Sequence, residues 1–298
     1  MNEARLHHYL PRFYLKLFSV NETQEIVLVN LGNKEITDPI HPNVCGAENL
    51  LYSFIVKGVN PNPALEKFFS VMDAGASRSI TKLIRNPESL DGVDEQWILT
   101  FAAFQCIRVP KFLRLIKNQV EALGRLEVTR LSRDPATIEM TCNRLDFSKE
   151  QTARVRADLE DFDQRFKMEI NRNHLLDMMF ETFPTVYDLF RRMTWRLLIS
   201  NATNYFITSD SPVVSFRRNS GTIVFGGFEW KDVEVTFPLS KHHCLRGAWS
   251  AESRFAGTKR VGRNAVNGIN RRTRLAASKY LYCPVAQAGV SAMALASS

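Results

Sequence analysis

The sequence predicts an α+β fold in which a helical middle packs against β-rich segments from both ends of the chain. Residues 1–62 carry β-rich runs and turn signals, residues 63–200 show helical spacing, and short β-rich runs return in residues 201–298. No Pro-, Gly- or Ser-rich linker separates the three segments. We therefore predict one integrated domain over residues 1–298.

The first segment predicts a hairpin. The apolar run at 26–31 is followed by Gly32-Asn33-Lys34, which is typical of a turn, and then by a second short run at 35–37. A further strand is predicted at 48–56, and residues 58–63 form a loop with two prolines.

Beyond Pro63 the apolar residues recur every three or four positions, which predicts a helix over 64–84 ending before Pro87. A second helix begins near Asp94, and Pro110 should kink or divide it because proline lacks an N–H and clashes with the preceding turn. Helical spacing resumes at 111–129. Ser148 and the residues after it resemble a capping box, which predicts a long helix to about residue 180. Pro184 is expected to open another helix, over 185–200.

The last third predicts short strands at 205–208, 213–216, 222–225, 233–237 and 243–245. A helix is expected within 261–278, followed by a final strand at 280–282.

Composition limits the class of protein. Hydrophobic residues make up 45% and charged residues 23% of the chain, as in folded domains. The five cysteines are widely spaced without a CxxC pair, which argues against a disulfide framework and a thiolate zinc site. Neither a signal peptide nor a membrane-spanning run is visible, so we predict a cytoplasmic protein without a membrane partner.

Positive charge is concentrated near the end of the chain. Between Lys241 and Lys279 there are ten Lys or Arg residues and one acid, Glu252. Such a stretch attracts phosphate-rich partners, so nucleic acid is the predicted partner; a solvated surface that binds nothing is the alternative.

Several motifs resemble one known family. The first motif is His7-His8-Tyr9-Leu10-Pro11. The next motifs are the segments 105–110, 206–213 and 237–240, and the last comprises Val266-Asn267, Ala276 and Tyr280. In this order they are similar to the family called domain of unknown function 4238. The resemblance implies no activity. It implies a glutamate more often than an aspartate at position 73, so Asp73 shortens the reach of that carboxylate.

The first candidate site residues are His8, Glu66 and Asp73. Adjacent histidines in an extended segment point to opposite faces, and we expect His8 rather than His7 to face a site. Glu66 and Asp73 lie two turns apart on one helix face beside an apolar stripe. With His8 they could hold a divalent cation, Mg²⁺ or Mn²⁺; a solvated helix flank is the alternative.

Gln105 and Arg108 are neighbours on one face of the next helix. An arginine in an apolar helix needs a partner, either Glu66 or Asp73 as an ion pair, or a phosphate. An ion pair would weaken the metal hypothesis, because it occupies the same carboxylate lone pairs.

Asp210 follows a strand, where a carboxylate could serve chemistry or close a turn of its own backbone. Ser209 as a nucleophile would need His8 or His243 nearby, and there is no GxSxG motif. The pair His242-His243 is a weak metal candidate.

These residues support two hypotheses. In the first, the protein is a metal-dependent phosphodiester hydrolase, a nuclease, in which His8, Glu66, Asp73 and Asp210 hold the cation. Gln105 and Arg108 act beside them, Arg108 on the phosphate. In the second, it is a non-catalytic module that binds nucleic acid or a protein, and the same polar residues form a structural network.

Overall fold

The computed structural model describes residues 6–19, 24–53, 64–250 and 254–284. The predicted loop at 58–63, the end of the predicted strand at 48–56, and Glu252 lie outside these residues. The chain divides into two compact units, one formed by residues 1–112 and 178–298 and the other by residues 113–177. The prediction of a single integrated domain stays a prediction.

The protein has the predicted α+β arrangement, in which a run of helices lies between strand-rich segments of the chain. The helices are α1 (Arg12–Lys16), α2 (Ala64–Arg85), α3 (Gly92–Ile107), α4 (Pro110–Ser132), α5 (Pro135–Arg144), α6 (Lys149–Glu160), α7 (Phe162–Arg165), α8 (Arg172–Arg192) and α9 (Arg263–Ala276), with 3-10 turns at Pro42–Val44 and Pro87–Ser89. The strands are β1 (Leu6–His8), β2 (Ile26–Asn30), β3 (Glu35–Ile36), β4 (Ala47–Asn49), β5 (Thr194–Ser200), β6 (Thr208–Ser209), β7 (Val214–Arg217), β8 (Thr222–Val224), β9 (Val233–Ser240), β10 (His243–Ala248), β11 (Phe255–Val261) and β12 (Tyr280–Pro284).

The strands of the first unit form three sheets. The largest has the order β11-β5-β10-β9-β7-β8, with β11 parallel to β5 and the other neighbours antiparallel. A second sheet has the order β3-β2-β12-β6, and β1 pairs with β4. Strands from the two ends of the chain therefore share one sheet, since β2 pairs with β12.

An aromatic core joins the largest sheet to the helices of the first unit. Tyr14 of α1 lies 5.5 Å from Phe237 of β9 and 6.1 Å from Phe101 of α3, measured between ring centroids. On β5, the fully buried Trp195 contacts Phe190 of α8 edge to face. Burying such rings supplies much of the apolar stabilisation of a fold.

Helices α2 and α3 pack closely, and the sequence explains why. Asp91 caps α3, because its side chain accepts hydrogen bonds from the N–H groups of Val93 and Asp94. Gly75 of α2 faces the indole of Trp97, and an added Cβ would lie only 2.6 Å from that ring. Glycine at position 75 therefore lets the two helices approach.

Several predicted elements are confirmed, including the β2–β3 hairpin, α2, the division of a helix at Pro110, and the strands at β7 to β10. Others are corrected. The strand predicted from residue 48 ends at Asn49, because Leu50 has a φ of 52°. The strand predicted at 205–208 is only Thr208–Ser209. Helix α5 and strand β11 were not predicted.

The predicted long helix and the helix start at Pro184 are both wrong. The helix that begins after Ser148 ends at Glu160. None of its residues is buried, so apolar packing does not stabilise a longer helix. Pro184 lies inside α8, whose Met179, Val186 and Phe190 are buried. This packing outweighs the hydrogen bond that proline removes.

The predicted helix over 185–200 also extends too far, because residues 194–200 form β5. This strand lies between β10 and β11 and is hydrogen-bonded on both sides. The aromatic and aliphatic side chains of Trp195, Leu197 and Leu198 are buried there, which favours a central strand over a helix.

The second unit, residues 113–177, is helical and rich in surface ion pairs. Arg125 pairs with Asp163, and Glu121 accepts a hydrogen bond from the N–H of Ile170 at 3.3 Å. Leu123 and Leu126 are about two thirds exposed. In the described part of the chain no helix is both long and apolar enough to cross a membrane.

Candidate functional site

Arg108, at the end of α3, is the most deeply buried charge among the described residues of the first unit. None of its side chain is exposed, and Nη2 lies 2.9 Å from Oδ1 of Asp73 on α2. The ring centroids of Phe69 and Phe101 lie 5.1 and 5.6 Å from the guanidinium carbon. Burial raises the pKa of Asp73 and the Arg108 charge opposes that rise. Of the two carboxylate partners that the sequence allowed, the structure places Asp73 against Arg108.

Gln105 completes the surroundings of Arg108. The amide orientation that satisfies both side chains turns Oε1 of Gln105 towards the guanidinium, where it accepts hydrogen bonds from Nη2 and, at 2.7 Å, from Nε. Among the described residues, Nη1 of Arg108 has no hydrogen-bond partner. The guanidinium is thus held by protein groups and is closed to solvent.

A second set of contacts joins the N-terminal segment to the same helices. The N–H of Tyr52 donates to Nδ1 of His7 at 2.9 Å, which leaves the His7 proton on Nε2, 3.5 Å from Oε2 of Glu66. The Tyr52 hydroxyl donates to the carbonyl oxygen of Arg108 at 2.5 Å. We call these residues the polar cluster: His7, Tyr52, Glu66, Asp73, Gln105 and Arg108.

The fully buried histidine is His7 and not His8, and the expectation that His8 faces a site stays a prediction. His7 is 2% exposed. His8 is half-buried, and its Nε2–H donates to the carbonyl oxygen of Asn43 at 3.1 Å. Burial lowers the pKa of His8, while the charges of Glu66 and Asp73 act in the opposite direction. The register of β1 against β4 decides which histidine points inward.

Asp210 is held by backbone groups far along the chain. Its Oδ1 accepts from the N–H of Ser278 at 2.8 Å, and its Oδ2 accepts from Lys279 at 2.7 Å and Tyr280 at 3.2 Å. Burial raises the pKa of Asp210, and the three N–H groups work against that rise. The carboxylate closes the link between α9 and β12 rather than a turn of its own backbone. No contact among the described residues joins it to the polar cluster.

Ser209 has no base beside it in the described structure. Its hydroxyl donates to the carbonyl oxygen of Ser211 at 2.9 Å and accepts from the N–H of Ser211 at 3.1 Å. Nδ1 of His243 lies 2.9 Å from the Ser240 hydroxyl, and Nδ1 of His242 lies 3.2 Å from that of Ser200. A Ser209–histidine pair is therefore not assembled.

His243 should make stability depend on pH. Burial, and then the nearby His242, lower the pKa of His243 to about 4 from its ordinary 6.5. The unfolded chain therefore binds more protons between these values, so we expect the free energy of unfolding to fall as the pH drops from 6.5 towards 4. Urea unfolding across this range measures the slope. His243→Asn should make the slope shallower, and an unchanged slope would contradict the assignment.

The donor groups do not fit the predicted metal site. Among residues 6–19, 24–53, 64–250 and 254–284, no three His, Cys, Asp or Glu side chains are grouped to hold a metal ion. Asp73 is paired with Arg108, and the oxygens of Asp210 accept backbone hydrogen bonds. The predicted Mg²⁺ or Mn²⁺ ligands His8, Glu66, Asp73 and Asp210 are thus not brought together as a set.

A buried charged group that the sequence analysis missed lies on the largest sheet. Glu234 of β9 accepts from Nε of Arg246 at 2.7 Å and from Nη1 of Arg272 at 2.5 Å, and Arg272 lies 3.8 Å from the Phe216 ring centroid. Burial would raise the pKa of Glu234, but the two arginines lower it. The available signal was an acid within an apolar strand, which requires a cationic partner.

The basic stretch therefore divides into two groups. Arg246 and Arg272 share the single carboxylate of Glu234, Lys241 donates to the carbonyl oxygen of Ser19, and Arg254 pairs with Glu95. Four cations of β11 and α9 are exposed and form no ion pair with a described residue. We call them the cationic edge: Lys259, Arg260, Arg263 and Arg271.

The cationic edge follows the chain from β11 into α9. Strand β11 is the outermost strand of the largest sheet, and Lys259 and Arg260 are paired with Leu198 and Ile199 of β5. Arg263 opens α9, which directly follows. Neighbouring positions of a strand point to opposite faces, so Lys259 and Arg260 lie on opposite faces of this edge. Arg271 lies two turns further along α9, beside Arg272, which reaches Glu234 of β9.

The comparisons with known proteins agree with the motifs. A family model described as "Protein of unknown function (DUF4238)" matches residues 6–283. No curated protein and no solved structure matches the chain. The family model covers the polar cluster, Asp210 and the cationic edge, and the chain belongs to the DUF4238 family.

Proposed function

We propose that this protein is a non-catalytic module that binds nucleic acid through the cationic edge. The observation that carries the proposal is the set of exposed cations, Lys259, Arg260, Arg263 and Arg271, without an ion-pair partner in the described structure. Phosphate contacts by such side chains supply most of the affinity of non-specific nucleic-acid binding. The proposed recognition is of the phosphate backbone.

The contacts of the polar cluster support a structural network more than a hydrolase. Arg108 is fully buried and its charge is met by Asp73 and Gln105, so it cannot reach a phosphate of a polymer without unfolding its surroundings. The carboxylate of Asp210 accepts hydrogen bonds from three backbone N–H groups. Metal-dependent phosphodiester hydrolysis stays a prediction that the same samples can test with Mg²⁺ or Mn²⁺ present.

Removing charge from the cationic edge should weaken binding in a salt-dependent way. The triple variant Lys259→Gln, Arg260→Gln and Arg263→Gln is titrated against fluorescent DNA and RNA oligonucleotides at several salt concentrations. The slope of log K against log salt is about −0.9 per phosphate contact on duplex DNA and about −0.7 on single strands. If all three side chains contact phosphates, we expect the slope to become shallower by about 2 to 3.

The matched control removes three exposed cations from the second unit, as Arg133→Gln, Arg144→Gln and Lys149→Gln. It changes the net charge equally and should leave the slope nearly unchanged. Equal weakening in both triple variants would show a general charge effect and contradict the proposal. If the wild type shows no salt-dependent binding, the proposal fails. The cations of β11 would then serve to protect this edge strand from pairing with further strands.

A further inference from the structure

The outward face of the C-terminal half of α2 forms a shallow groove. Its volume is about 460 Å³, and its walls are the side chains of Ser77, Arg78, Thr81, Lys82, Arg85 and Asn86. The opposite face of the helix is apolar and buried, through Phe69, Ala76, Ile80 and Leu83. We call this concavity the α2 groove.

The chemistry of the lining favours an anion. Each of the six lining side chains in the described structure can donate a hydrogen bond, three of the six carry a positive charge, and none of the six is acidic. Lys82 pairs with Asp94 and Asp91, so its charge is more than offset and it is not free to bind an anion. Arg78 and Arg85 are exposed and form no ion pair with a described residue. Two arginines that can bind oxyanions in a bidentate manner therefore remain available.

The spacing of the two arginines suits a ligand with more than one charged group. They lie seven positions apart, which is two helical turns or about 10.5 Å along the axis, with the hydroxyl of Thr81 between them. Arg85 also lies in the last turn of α2, where a cation offsets the negative end of the helix dipole. Arg78 lies beyond the reach of that effect, so helix stabilisation does not account for it.

The α2 groove lies on a helix that is packed firmly against its neighbour. The contact of Gly75 with Trp97 holds α2 against α3, so the arginines project from a fixed helix. The helix is followed at once by the 3-10 turn Pro87–Ser89, which packs against β11. The groove and the cationic edge therefore belong to neighbouring elements of the same unit.

We infer that the α2 groove binds a phosphate-bearing ligand through Arg78 and Arg85, with Ser77 and Thr81 as additional donors. The phosphates come from one of two sources. One is the backbone of the nucleic acid held on the cationic edge, and this source rests on the function proposed above. The other is a free phosphorylated small molecule, which does not depend on that function.

Inorganic pyrophosphate is the direct probe. Calorimetric titration of the wild type should show saturable binding, and the variant Arg78→Gln with Arg85→Gln should bind at least tenfold more weakly. The control variant Arg133→Gln with Arg144→Gln loses the same charge from the second unit and should bind like the wild type. Circular dichroism confirms that each variant is folded. Equal binding in all three proteins, or none in the wild type, would overturn the inference.

Oligonucleotide titrations then separate the two sources. If the nucleic-acid backbone occupies the groove, the Arg78 and Arg85 double variant should also make the salt slope shallower by about 1 to 2. If oligonucleotide binding is unchanged while pyrophosphate binding is lost, the groove is supported and its ligand is a free phosphorylated molecule. If the wild type binds no oligonucleotide, the proposed function fails while pyrophosphate still decides the groove.

Discussion

Arg108→Met is expected to lower the free energy of unfolding by about 3 to 5 kcal/mol, because it leaves a buried carboxylate without its partner. Nη2 of Arg108 lies 2.9 Å from Oδ1 of Asp73. The side chain of Arg108 is 0% exposed and that of Asp73 only 19%, so water can replace the lost partner only in part. The hydrogen bonds to Gln105 are lost in the same substitution. Urea unfolding followed by circular dichroism measures the change.

Two further variants test whether this loss of stability comes from the buried ion pair. Arg154→Met breaks an exposed ion pair with Glu150 and should change the free energy of unfolding by less than about 0.5 kcal/mol. Combining Arg108→Met with Asp73→Leu removes both charges and should recover much of the stability, since well-packed apolar groups often replace a buried pair without loss. A double variant as unstable as the sum of its parts would contradict a coupled pair.

Asp210→Ala is expected to cost about 3 kcal/mol, because three backbone N–H groups lose a charged acceptor and water restores only part of each bond. Those groups belong to Ser278 and Lys279, which precede β12, and to Tyr280, its first residue. Thermal and urea unfolding measure the loss. The matched control is Asp38→Ala, an exposed aspartate in a loop, and it should change stability by less than about 0.5 kcal/mol.

The same protein tests the metal hypothesis. We expect the unfolding midpoint of the metal-stripped wild type to be the same with and without Mg²⁺, Mn²⁺ or Zn²⁺, since Asp210 is satisfied by backbone donors. A cation-specific rise that disappears in Asp210→Asn would instead place Asp210 in a metal site. That outcome would return the hydrolase hypothesis to first place.

Local sequence patterns predicted the positions of several helices. The spacing of apolar residues and the proline at 110 located α2 and the division between α3 and α4. The sequence also indicated that Arg108 needs a partner, because it lies in an apolar helix. It could not choose between Glu66 and Asp73, since both lie on one face of α2 and the register of α3 against α2 decides which one is adjacent.

Contacts between distant segments could not be predicted. The partners of Asp210 are backbone N–H groups, which carry no signature in the sequence, and they lie in residues 278–280. Strand β11 was missed because it is exposed at the sheet edge and contains Gly257, so its side chains show no apolar alternation. Pro184 misled the prediction because tertiary packing outweighed its local preference.

The pairing of β2 with β12 has a consequence for synthesis on the ribosome. Asn30 pairs with Tyr280, so the partner of β2 is made 250 residues later. At about 5 to 20 residues per second, this delay is roughly 12 to 50 s. Throughout that interval the hairpin of β2 and β3 lacks the strand that flanks it, and Ile26 and Val29 cannot be covered as in the native fold. The nascent chain therefore presents an unpaired strand edge with uncovered apolar side chains, the kind of surface that holding chaperones recognise.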